Sequence, residues 1–185
     1  AEPDKSIWEV TPPDTAYAAE LHGFSWLDDL AAVGDVAARG AAPRWLWGWI
    51  ETFGTGRGPG WTPDLTGRRL IRWINHALFV WRGTEAEQSD AFYRSLVQQT
   101  HFLSKRWRGA APGLPRFEAL TGLIYAGLSL EGQEALADPA IKALARECTA
   151  QIDAQGGLPT RNPEELLAVF TLLTWAAAAL SDAGR

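Results

Sequence analysis

From Trp26 onward, apolar residues recur at intervals of three and four, the period of an amphipathic helix, and almost no segment alternates in the manner of a half-buried strand. Trp26, Leu27, Leu30 and Val33 predict a first helix over about 26–39, with Ser25 and Asp28 spaced as a capping box before it. Pro43 suits a first helical position, and Trp45, Leu46, Trp49, Ile50 and Phe53 follow it at helical spacing until Gly54. The stretch 54–63 carries four glycines and two prolines and reads as a long loop. Thr62 and Pro63 then open a third helix to about Arg82, with Leu65, Leu70, Trp73, Ile74, Ala77, Leu78 and Trp81 on one broad face.

Thr84 and Glu87 form another capping-box pair, and the helix behind them is expected to reach about Trp107, before Gly109, Pro112 and Gly113 break the chain. Leu114–Leu130 follows, rich in Leu, Ala and Gly, a composition that suits burial on several sides. Asp138 and Pro139 start the next helix, which ends at Gly156–Gly157. Asn162, Pro163 and Glu165 are spaced as cap, first and third positions of a last helix, whose nearly all-apolar run Leu166–Leu180 reads as deeply buried. Residues 1–22, with Pro3, Pro12 and Pro13, read as an extended arm, and residues 23–185 as one helical domain. Seven such helices suit a bundle, a solenoid or part of an α/α toroid.

Charge and composition narrow the function. With 17 Lys plus Arg against 22 Asp plus Glu, a net charge of −5 excludes a generic nucleic-acid surface. No run approaches the roughly 20 unbroken apolar residues of a spanning helix, so no membrane span is expected. The single cysteine, Cys148, rules out an internal disulfide and a thiolate metal cluster, and no metal or cofactor is expected in this chain. The absence of methionine points to a processed product or a piece of a longer polypeptide. Ten tryptophans either fill gaps between helices or supply flat platforms for sugar rings. If the loops 54–63, 109–115 and 156–162 share a rim, Trp61, Arg68, Arg69, Arg116, Arg161 and Asn162 converge there, with Glu118 placed to pair with an arginine. Guanidinium groups beside an indole suit an acidic sugar.

Three segments carry a resemblance: Trp61-Thr62-Pro63-Asp64 with Gly67-Arg68-Arg69-Leu70-Ile71-Arg72-Trp73-Ile74; Phe117-Glu118-Ala119-Leu120 with Leu123-Ile124-Tyr125-Ala126-Gly127-Leu128; and Gly156-Gly157-Leu158-Pro159-Thr160-Arg161-Asn162-Pro163. In order and spacing they resemble the helical region of heparinase II/III family proteins of the α-proteobacterial type. That resemblance implies an all-α fold of antiparallel helical hairpins forming part of an α/α toroid, followed in full-length members by a β-sandwich region missing here. It implies a partner, an acidic uronate-containing polysaccharide, and β-elimination in active relatives. It also implies a bacterial protein, periplasmic or envelope-associated.

The chain departs from the family's pattern at the chemistry. The asparagine and histidine positions fall on Pro115 and Arg116, and the tyrosine position falls near Glu165. Asn75 and His76 are an adjacent Asn-His pair and the candidate catalytic residues; the competing reading is that they hydrogen-bond between helices. His22 reads as a loop or capping residue and Tyr125 as core. Two function classes result: the acidic-polysaccharide-binding region of a lyase-like protein, or a non-catalytic carbohydrate-binding or scaffolding helical domain. The isolated chain is expected to lack lyase activity.

Overall fold

A computed structural model describes residues 6–81 and 86–185 of the chain. The protein is all-α, and no strand occurs among the described residues. Its helices are α1 (Thr15–Gly23), α2 (Ser25–Val33), α3 (Val36–Phe53), α4 (Pro63–Asn75), α5 (Ala77–Trp81), α6 (Ala86–Arg106), α7 (Leu114–Ser129), α8 (Ala137–Gln151) and α9 (Pro163–Asp182). Thr84, half of one expected capping box, lies outside the described residues.

Helix α7 is the axis of the fold, packed by α4, α6, α8 and α9. Its sequence permits this because small residues let other backbones come close. Gly67 of α4 sits where an added Cβ would lie 2.3 Å from the Glu118 carbonyl oxygen, and Gly127 where a Cβ would lie 2.8 Å from the Ala137 nitrogen. Between the glycines, Phe117, Leu120 and Ile124 are fully enclosed.

Tryptophans build the second half of the core. Trp49 and Trp73 are completely buried and meet edge to face with centroids 5.6 Å apart, while Trp73 stacks on Phe92 at 5.3 Å. Trp8 donates its indole N–H to the Trp45 carbonyl at 2.6 Å and lies over Gly48 of α3.

Several local expectations are corrected. The extended arm 1–22 is in part helical: Asp14 caps α1 through Tyr17 N–H at 2.7 Å, and α1 runs to Gly23. The expected helix 26–39 is divided at Gly34, which takes φ 62°. Asp35 then caps α3 eight residues before Pro43, so that proline lies inside a helix and not at its start. The Ser25/Asp28 box does not form; the Ser25 hydroxyl donates to the Glu20 carbonyl, and Phe24 occupies the cap position with φ 63°. His76 interrupts the third predicted helix between α4 and α5. The last helix begins as expected, with Asn162 Oδ1 accepting from Glu164 N–H at 2.9 Å, but it is not deeply buried.

Candidate functional site

Helix α9 packs on α7 through Val169, Leu172 and Ala176, which recur at i, i+3 and i+7 and are buried. The opposite side is also apolar. Leu166, Leu167 and Phe170 are 40%, 66% and 66% exposed, and Thr174, Ala177 and Ala178 continue the same face in solvent. The hydroxyls of Thr171 and Thr174 donate to the carbonyls of Leu167 and Phe170, both at 2.9 Å, so even the polar atoms here are satisfied within the helix. An exposed contiguous apolar face is the signature of an interaction surface. By length and composition α9 is also sufficient to cross a membrane, contrary to the sequence expectation, and only 17% of its apolar window is buried.

Beside this face lies a groove of about 200 Å³ between α4, α7 and α9, lined by Arg68, Arg72, Glu118, Thr171, Leu172 and Trp175 among others. Arg68 reaches Glu20 of α1 at 2.6 Å and Glu118 of α7 at 3.5 Å. Burial pushes the Glu118 carboxyl up to about 7 against the opposing pull of Arg68. Asp28 receives Arg72 Nε on one oxygen and His76 Nε2 on the other, both at 2.8 Å. Burial raises its pKa, but these two partners more than offset that and hold the carboxyl below its ordinary range. Asp28 and Glu20 were not among the sequence candidates. Asp28 read as a capping residue, and nothing local marks either acid as a partner of arginines more than 40 positions away.

The other expected site residues are distributed among separate partners. Arg69 is fully buried. Its Nε donates to Gln99 at 2.6 Å and one terminal nitrogen donates to the carbonyls of His22 and Gly60 at 3.0 and 2.9 Å, with the guanidinium 4.0 Å from the Trp49 ring centroid. Burial lowers its pKa to about 9, which leaves it cationic at neutral pH. The His22 carbonyl belongs to the last turn of α1, where a cation is favoured by the helix dipole. Trp61 is 8% exposed, donates to the Phe53 carbonyl at 2.6 Å and packs on Trp49 and Phe102, so its ring is a core element and not a free platform.

Arg116 pairs with Glu147 at 3.4 Å and donates to the Ala110 carbonyl at 2.7 Å, fastening the loop before α7. Arg161 lies 3.6 Å from Asp153 and is 75% exposed, while Asn162 is the α9 cap. Asn75 is exposed near Tyr125, whereas the adjacent His76 faces Asp28. The pair therefore has different partners. His22, expected in a loop, is buried in α1 with its Nδ1 accepting from Trp49 Nε1 at 3.2 Å; burial and then Arg69 lower its pKa to about 4. Among the described residues no three metal-ligating side chains cluster.

No family model and no solved structure matches the chain. FtsZ-localized protein C of Caulobacter vibrioides (strain NA1000 / CB15N) is 35% identical over 180 residues. Those residues are 92% of this chain but 30% of the relative, so the chain spans under a third of that protein's length. This finding overturns the heparinase II/III resemblance: the relative carries a cell-division name, and the polysaccharide-lyase function and the acidic-polysaccharide partner fall with the resemblance. The expected β-sandwich partner region falls with it. The three motifs have structural causes instead, since Gly67 and Arg69 of the first and Gly127 of the second serve packing and Asn162-Pro163 of the third starts a helix. The expected bacterial origin agrees with the relative's source.

Proposed function

We propose that this chain is a non-catalytic helical scaffolding domain of a bacterial cell-division protein, docking other proteins through the exposed face of α9. The observation that carries the reading is that face: Leu166, Leu167 and Phe170 stand in solvent on a helix already anchored to the core by its other side. The name of FtsZ-localized protein C supplies the context of the division site. Division-site localisation, in place of the periplasmic or envelope location expected from the sequence, is part of this proposal.

A protein partner suits the face better than a lipid surface does. Interfacial helices set lysine and arginine beside their apolar face, whereas the charged residues of α9 are Glu164, Glu165 and Asp182. Partial closure into a toroid adds nothing to this reading, because α4, α6, α8 and α9 gathered on α7 already account for the burial.

The test is to express the chain as a fluorescent fusion in bacterial cells and image it with FtsZ. The expected outcome is a signal that coincides with FtsZ and disperses in a Leu167→Glu/Phe170→Glu variant of unchanged circular dichroism. A diffuse parent fusion, or a variant that localises as the parent does, overturns the proposal.

A further inference from the structure

A second groove, of about 360 Å³, opens where the end of α6 and the turn Trp107–Gly109 meet the start of α8. It shares no lining residue with the groove beside α9. Its floor is apolar: Leu123 of α7 and Ala140 of α8 are buried there, and the half-buried Trp107 and Leu136 continue the lining. Its rim is cationic. Lys142 and Arg146 stand one turn apart on α8, hence on the same face, and Arg108 joins them from the turn after α6.

All three cations are exposed, and none makes an ion pair among the described residues. Asp138 also lines the groove, but its charge is already matched by Arg185. The Arg108 guanidinium lies 4.4 Å from the Trp107 ring centroid, a stacking contact that holds the group in place and leaves its N–H donors for an outside acceptor. Like charges four positions apart destabilise a helix, so Lys142 and Arg146 carry a cost that an anionic occupant removes. In a chain of net charge −5, this groove is a local inversion of sign.

We infer that this groove docks an acidic segment of a partner protein, with an apolar side chain seated against Trp107 and Leu136 and flanking carboxylates on Arg108, Lys142 and Arg146. The inference does not depend on the α9 face. The arrangement of charge and apolar surface selects the class of ligand. A membrane surface needs apolar side chains that project beyond the cations, whereas here the apolar residues lie beneath them. A nucleic acid needs a broad basic excess, and the net negative charge of the chain opposes one. Carboxylates spaced along a peptide, with an apolar residue between them, match cations distributed about an apolar floor.

Fluorescence anisotropy of a labelled, end-blocked peptide, EEELEEE, titrated with the 185-residue chain tests this. The expected result is saturable binding that weakens as salt is added. Arg108→Glu and Arg146→Glu, both at exposed positions, are each expected to weaken it about fivefold or more at unchanged circular dichroism. Arg44→Glu, an equal change of net charge at an exposed position of α3, is expected to leave it within about twofold. Replacing the peptide's leucine by glycine is expected to weaken binding several-fold. Absence of binding overturns the inference, as do equal losses from Arg44→Glu and Arg146→Glu or a glycine peptide that binds as tightly. Tighter binding to phosphatidylglycerol vesicles or to a single-stranded oligonucleotide, lost in the same groove variants, also overturns it, because the groove would then serve a different anion.

Discussion

Gly122 and Gly67 stand against each other where α7 crosses α4, so close that a Cβ on Gly122 would lie 2.5 Å from the Gly67 Cα. Every atom at that contact is backbone, and neither helix has a side chain that can swing aside. Gly122→Ala is therefore expected to destabilise the fold by about 2–3 kcal/mol or more, as overpacking does. Gly40 is the internal control, since it lies within α3 with nothing within 4 Å of an added Cβ. Gly40→Ala is expected to stabilise by roughly 0.5–1 kcal/mol through helix propensity. Urea unfolding midpoints of the two variants check both signs.

Arg69 joins the end of α1, the loop before α4 and helix α6 through neutral acceptors only. Removing it leaves buried acceptors unpaired and a void against Trp49. Arg69→Ala is expected to cost about 3 kcal/mol or more. Arg161→Ala, at an exposed pair, is expected to leave the unfolding midpoint within experimental error.

Two buried groups give stability opposite pH slopes. Glu118 titrates at about 7 in the fold against an ordinary value of 4.5. Its contribution is complete below the unfolded value and is lost as pH rises through 7. His22 has a folded pKa of about 4 against an ordinary 6.5, so its contribution is present above 6.5 and is lost as pH falls toward 4. Relative to Glu118→Gln, the parent is expected to lose roughly 2–3 kcal/mol between about pH 5 and pH 8. Relative to His22→Gln, the parent is expected to lose stability between about pH 6.5 and pH 4. Urea titrations across this range measure both differences.

What was legible in the sequence follows from where local signals decide structure. Gly113 before Leu114, and Asn162 with Pro163, fix the starts of α7 and α9, and the small residues of α7 correctly signalled burial on several sides. The division between α2 and α3 was missed because Gly34 takes a left-handed conformation inside an apparently continuous helical pattern, while Pro43 reads as a start although Asp35 had already capped the helix. Arg68 and Arg69 were both placed on a rim shared by the three loops. Adjacent helical positions point about 100° apart, and here one faces the groove and the other the core. Most consequential is α9. Its apolar run is equally consistent with complete burial, and only the packing of α7 shows that one side is covered.

The central claim is that this uncovered side of α9 is a protein-docking face, and site-specific photocrosslinking tests it most directly. A benzophenone amino acid is placed at Phe170 or at Val36, the 89% exposed first residue of α3, and the chains are irradiated in bacterial cells. The account predicts a discrete adduct from position 170, containing a protein that localises with FtsZ, and none from position 36. The absence of any adduct at 170, or the same adducts from both positions, would contradict it.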